Sequence, residues 1–253
     1  MSDPYYRFEV EHIFSDSLWG NPEIKAFLEA NGYTQEMAGN KIALFSDPLM
    51  VAQLQNLPAG DPLKQALLDP NSGSGINRHE GGAETGNQLG KNAFLTAEIN
   101  AIINSPTSAA AKKTALNNLH DWATKLAKGE IAGTDGKPMP VMGNTPYAAE
   151  LAGAYRSGPQ AGWIDPAAFD DPGHPQRVAA EAAMARGAAH YAGLDTTIVS
   201  NQAMRPKLVA SIEAALVKAR LISPGEQAIE PPRDCRRPFG LSYAAMGTSS
   251  SMA

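Results

Sequence analysis

Residues Phe8 to His12 read FEVEH and set a carboxylate, Glu11, beside an imidazole, His12, at the end of a short aromatic and β-branched run. Neighbouring side chains of a strand point to opposite faces. A Glu-His pair at a strand end can therefore aim one group at a metal ion and the other at a water or substrate. Two later residues are candidates to meet them: Asn40, just before the apolar segment 41–45, and His79, in the glycine-flanked stretch RHEGG. Each has an ordinary reading as well. Glu11 and His12 could be a surface pair, Asn40 a turn residue, and His79 a solvated loop residue. Their order along the chain, with an apolar strand between them, favours a site.

The elements that must position these residues follow from pattern. Residues 5–14 are rich in aromatic and β-branched side chains and predict a strand leading into a turn. Residues 22–31 predict a short helix, with Pro22 in its first turn, Ile24, Phe27 and Leu28 on one face, and Asn31-Gly32 as its stop. Residues 41–45 are strand-like. The stretch 47–70 holds two short apolar segments broken by prolines, and 71–78 reads as a flexible loop. A helix is expected from about 84 to 104, with Leu89, Phe94, Leu95, Ile99 and Ile102 buried, although Gly86 and Gly90 blur its start. Another is expected from 108 to 128, with Leu116, Leu119, Trp122 and Leu126 on one side. Residues 129–143 read as a loop. Alanine-rich helices are expected over 146–155 and 175–191, an amphipathic one over 206–220, and a Pro-rich tail beyond.

Bulk composition narrows the class. The chain has 253 residues, 43% hydrophobic and 19% charged, enough for a packed core. A net charge of −5 argues against a binder of nucleic acid driven by bulk electrostatics, though not against a nuclease with a local site. The single cysteine, Cys235, rules out an internal disulfide and a cysteine-based metal cluster. No apolar run approaches a membrane span, and the N-terminus lacks a signal-peptide pattern, so a reducing cytoplasm is the simplest compartment.

The segments EVEHIF (9–14), AGNKIALF (38–45) and NRHEGG (77–82), the last opening a helix, resemble the HNH/endonuclease VII superfamily of ββα-metal nucleases, in particular the AHH-type bacterial toxin nucleases. The resemblance covers roughly residues 5–105. It implies cleavage of a phosphodiester in DNA, or in RNA, through one divalent ion, Mg²⁺ or Mn²⁺, with Zn²⁺ or Ni²⁺ as alternatives. The chemistry needs a deprotonated water and a cation on the phosphate and leaving oxygen. By this resemblance His12 is the general base, Glu11 and His79 are metal ligands, and Asn40 orients the His12 ring or its loop. Lys41 and Arg78 are candidate phosphate contacts by position alone.

Two departures stand out. Glu11 occupies the place of the first histidine of the family's pair; a carboxylate is a hard ligand and favours Mg²⁺ or Mn²⁺. Ala83 occupies the place of the second helix-entrance histidine and cannot ligate a metal. Either Glu84 or a water fills that place, or the site is defective, or Ala83 is a substitution that silences a toxic nuclease. Such toxins pass between bacteria without a signal peptide, so the resemblance also implies an effector made in the bacterial cytoplasm. It would act in a recipient's cytoplasm and pair with an immunity protein.

The remaining candidates read more simply. His120, beside Trp122, and His190 read as packed side chains. Asp170, Asp171 and His174 could ligate a metal but read as turn chemistry. Cys235 among Arg233, Arg236 and Arg237 is the basis of a competing reading as a Cys-dependent hydrolase. A non-catalytic docking module built on the alanine-rich helices is a third. The expected architecture is α+β and mostly helical: a ββα-metal nuclease-like domain with a helical extension over 1–145, then an alanine-rich helical region and tail over 146–253.

Overall fold

The structure, a computed structural model, describes residues 8–46, 48–79, 88–158 and 166–182, with positions 214, 217, 224 and 225. Strand β1 (Phe8–His12) pairs antiparallel with β2 (Lys41–Phe45), which pairs parallel with β3 (Ser74–Arg78), in the order β1-β2-β3. Helices α1 (Asp16–Trp19) and α2 (Pro22–Ala30) connect β1 to β2. Helices α3 (Pro48–Asn56) and α4 (Pro62–Leu68) connect β2 to β3. After β3 come α5 (Leu89–Asn104), α6 (Ala109–Lys128) and α7 (Tyr147–Arg156), then a short 3₁₀ turn at Pro166–Phe169. The fold is α+β and mostly helical, as the sequence predicts. Among the described residues, no helix is long and apolar enough to cross a membrane.

Helices cover both faces of the sheet, which is why every residue of β2 is buried. On one face Ile42 and Leu44 join Ile24 and Leu28 of α2, Phe94 and Ile99 of α5, and Leu119 and Leu126 of α6. On the other, Ala43, Phe45 and Ile76 pack on Val51 and Leu54 of α3 and Leu67 of α4. Leu151 and Tyr155 of α7 belong to the first of these cores, so it runs without a break across residues 145 and 146. Phe94, Trp122 and Tyr155 meet edge to face there, with centroids 5.2 to 5.7 Å apart. Each such contact contributes about 0.5–1.5 kcal/mol beyond simple burial.

Local signals account for most boundaries. The Asn21 side chain caps α2 ahead of Pro22, and Asn31-Gly32 ends it, with Gly32 at φ 89°. Ser108 caps α6, and Gly129 closes it in the left-handed region. The expected helix from residue 84 is described from Leu89, and residues 80–87 lie outside the described chain. So do all but two positions of 206–220, the part of 175–191 beyond 182, His190 and Cys235.

One expectation is overturned. Residues 71–78 are not a loop throughout, since 74–78 form β3. Of SGINR only Ile76 favours a strand, so local propensity points away from it. Tertiary contacts decide the matter. The Asn77 amide donates to the carbonyls of Leu126 and Met139, and the Lys128 ammonium donates to the carbonyls of Asp69 and Ser74. A β-carbon at residue 75 would lie 2.6 Å from Lys128 Cα, so glycine there lets β3 reach the end of α6.

His120 packs between Phe14 and Tyr33, with ring centroids 4.9 and 5.1 Å away, and its Nε2 has no hydrogen-bond partner among the described residues. Burial pushes its pKa from 6.5 down to about 4, against a smaller opposing pull from Asp121. Between these values the unfolded chain binds a proton that the folded chain does not, so this histidine removes stability as pH falls through that window. His120→Phe, which keeps the aromatic packing, should flatten the stability profile between pH 6.5 and 4 by up to about 3 kcal/mol. Denaturant unfolding at stepped pH checks it.

Candidate active site

Adjacent positions on β1 send Glu11 and His12 to opposite sides of the sheet, and the expected constellation therefore divides in two. Glu11 pairs in register with Ile42 and faces α5. His12 pairs in register with Lys41.

On the Glu11 side, the carboxylate is 2% exposed and fully engaged. Its Oε1 accepts from the Lys91 ammonium, and its Oε2 accepts from Gln88 Nε2 at 2.7 Å and lies 2.9 Å from His79 Nε2. Lys91, itself 2% exposed, also donates to the His12 carbonyl at 3.0 Å. Burial alone would raise the Glu11 pKa. The Lys91 charge and the His79 contact outweigh it and hold the carboxyl far below its usual range. The first turn of α5 and the residue after β3 are thus pinned to β1 through one anion.

The structure does bring Glu11 and His79 together, as a shared ligand set requires. It also puts the Lys91 ammonium on Oε1 of that carboxylate and the Gln88 amide on Oε2, the oxygen that faces His79. Among the described residues no group of three or more His, Cys, Asp or Glu side chains could hold a metal ion. As these side chains stand, Glu11 and His79 do not fit a divalent ion without displacement of Gln88 from Oε2, beside a Lys91 charge that already neutralises the carboxylate. Ala83 and Glu84 lie outside the described residues.

On the other side, His12 ends β1 where the chain turns into α1. Asn40 makes that turn rigid. Its Oδ1 accepts from the Phe14 N–H at 2.8 Å, its Nδ2 donates to the carbonyls of Phe14 and Gln35, and its own carbonyl accepts from Ile13 N–H. Asn40 therefore braces the loop after His12 rather than the imidazole. His12 Nδ1 lies 3.1 Å from Asp16 Oδ1, an oxygen that also accepts from Gln35 Nε2. With Nδ1 facing a carboxylate, the neutral ring carries its proton there and keeps a lone pair on Nε2. His12 Nε2 is buried and has no hydrogen-bond partner among the described residues. Burial lowers the His12 pKa. Lys41 adds to the lowering, while Asp16, Glu11 and Glu36 oppose it.

Lys41 stands beside His12 with its ammonium 2.6 Å from Glu36 Oε2. Arg78 is elsewhere. It pairs in register with Phe45, at the far end of β2 from Lys41, and its Nε donates to the Ser46 carbonyl. It and His12 do not share a site. Asp171 and His174 make the turn expected of them, accepting from Gly173 N–H and Gln176 N–H respectively.

Asp16, Glu36, Gln88 and Lys91 are the functional neighbours that sequence reasoning missed. Asp16 had a signal, because it lies four residues after His12 and opens a helix. Lys91 had none, since a lysine within an apolar helix reads as solvated. Comparison with family models, with curated proteins and with solved structures finds no match for this chain.

Lys91→Met should strand the Glu11 charge in the core and destabilise the fold by about 3–5 kcal/mol. Adding Glu11→Gln should recover part of that loss, since an amide needs no counter-charge. Equilibrium unfolding of the single and double variants reads both effects.

Proposed function

We propose that this chain is a hydrolase of nuclease type, in which His12 takes a proton from the water that attacks a phosphodiester. DNA is the first candidate substrate and RNA the second. The observation that carries the reading is the seat of the His12 ring. It has a neutral imidazole favoured by burial, Nδ1 oriented by Asp16, and Nε2 left as an acceptor unpaired among the described residues. A base held by an orienting carboxylate, with its other nitrogen unsatisfied, is the arrangement that general-base catalysis requires. Among the described residues His79 Nδ1 and His120 Nε2 are unpaired as well, so what singles out His12 is the Asp16 carboxylate on its Nδ1 together with an Nε2 that faces the half-exposed Glu36.

In the proposed step the water oxygen bonds to phosphorus as its proton passes to His12 Nε2. The bond from phosphorus to the leaving oxygen breaks, and that oxygen is protonated from solvent. The substrate class rests on the likeness of segments 9–14, 38–45 and 77–82 to toxin nucleases. The same likeness supports an interbacterial effector with a cognate immunity protein. The divalent ion it implies has no place beside Glu11 as the side chains stand, so it is assigned no step.

A second reading, a non-catalytic relative that binds without cleaving, is favoured by the Lys91 ammonium on Glu11 and by Ala83. The two readings separate on plasmid DNA with Mg²⁺, Mn²⁺ or chelator. The nuclease reading expects cleavage by the parent chain or by Ala83→His. It expects His12→Ala to lower the rate about 10²–10⁴-fold and Asp16→Asn to lower it less. The acid limb of kcat/KM should fall below the ordinary histidine pKa of 6.5, since burial lowers that of His12. Loss of cleavage with chelator would restore the ion to the mechanism. No cleavage by any form, with DNA retained in a binding assay, selects the second reading.

A further inference from the structure

Two buried groups of opposite character converge on one half-exposed carboxylate. His12 and Lys41 are partners across the β1–β2 pair, so their side chains leave the sheet on the same face and at the same level. The Lys41 side chain has 0% exposure, yet its ammonium meets Glu36 Oε2 at 2.6 Å. The buried His12 Nε2 faces the other oxygen, Glu36 Oε1, at 4.0 Å, too far for a hydrogen bond. Glu36 itself is 48% exposed.

We propose that the Lys41 ammonium, beside His12, forms an oxyanion subsite, and that the Glu36 carboxylate is its built-in occupant, which a phosphate must displace to enter. The chemistry of the three groups sets who can move. Lys41 cannot withdraw into water, because its side chain is buried, and a buried ammonium left alone is strongly unfavourable. Its anion can be exchanged but not simply lost. Glu36 is half in water already, so hydration offsets its departure. Its backbone neighbourhood stays fixed, because Gln35 binds Asp16 through its side chain and Asn40 through its carbonyl. The motion required is a side-chain rotation, not a loop opening.

The occupant expected is a phosphate. One of its oxygens would replace Glu36 Oε2 on the Lys41 ammonium, and the place of Oε1 would pass to a hydroxyl, of the phosphate or of a water, that donates to His12 Nε2. This rests on the nuclease reading for the identity of the substrate, though the subsite itself stands on the geometry. Among the described residues, the charged and titratable groups around His12 are Asp16, Lys41, Glu11 and Glu36.

Nuclear magnetic resonance on the full chain tests the proposal, following the His12 ring nitrogens and the Lys41 ammonium during titration with inorganic phosphate. Glu36→Gln keeps a hydrogen-bond acceptor for Lys41 but removes the competing charge. It should bind phosphate at least about ten-fold more tightly than the parent, with His12 Nε2 shifting in step. Acetate at matched concentrations should compete poorly. Lys41→Met should abolish the shift; if that variant does not fold, the comparison of Glu36→Gln with the parent decides alone. Equal phosphate affinity in Glu36→Gln and parent, or binding that leaves His12 unmoved, overturns the proposal. Cleavage assays on the same samples keep the two ideas apart. Phosphate binding without cleavage retains the subsite and removes the nuclease reading, and cleavage with no gain in Glu36→Gln does the reverse.

Discussion

A carboxylate buried in the middle of a protein must be neutralised, and Glu11 is the one on which this fold turns. It gathers Lys91 and Gln88 from the start of α5 and His79 from just beyond β3. Those contacts fix how β1 faces the helical core. Because strand side chains alternate, fixing Glu11 inward toward α5 sends His12 to the other side of the sheet. Slipping β1 by one residue would exchange the two and place an imidazole against the Lys91 ammonium. The ion pair is therefore less a source of stability than a specification of register.

Once register is set, the seat of His12 follows from short-range chemistry. Asn40 links the end of β1 to the start of β2 through main-chain contacts on both sides. Asp16 opens α1 four residues on and meets the near nitrogen of the ring. Lys41 lies across from it with a counter-ion of its own. Among the described residues nothing donates to the far nitrogen. Two charged clusters thus flank one strand. One is buried and drawn from three elements, and the other is half open through Glu36.

The legible part of this arrangement was local. The periodicity of 22–31 and 108–128, Pro22 in the first turn, the stop at Asn31-Gly32 and the strand 41–45 are written in short windows of sequence. The approach of Glu11 to His79 and the bracing role of Asn40 were legible from motif order. What could not be read depends on distant partners. SGINR becomes a strand only because β2 offers a free edge and the end of α6 needs a glycine beside it. Lys91 is buried only because a carboxylate awaits it 80 positions earlier. The distance between Arg78 and His12 follows from parallel pairing of β3, which no window of sequence discloses.

His12 can take a proton from water only if the fold presents it as a neutral base. The most direct test is a pH titration of the His12 ring nitrogens by nuclear magnetic resonance in the intact chain. The structure predicts the tautomer protonated on Nδ1 and a pKa below the ordinary 6.5. A ring protonated on Nε2, or one that stays charged above that value, would contradict it, because such a ring has no lone pair to offer a water.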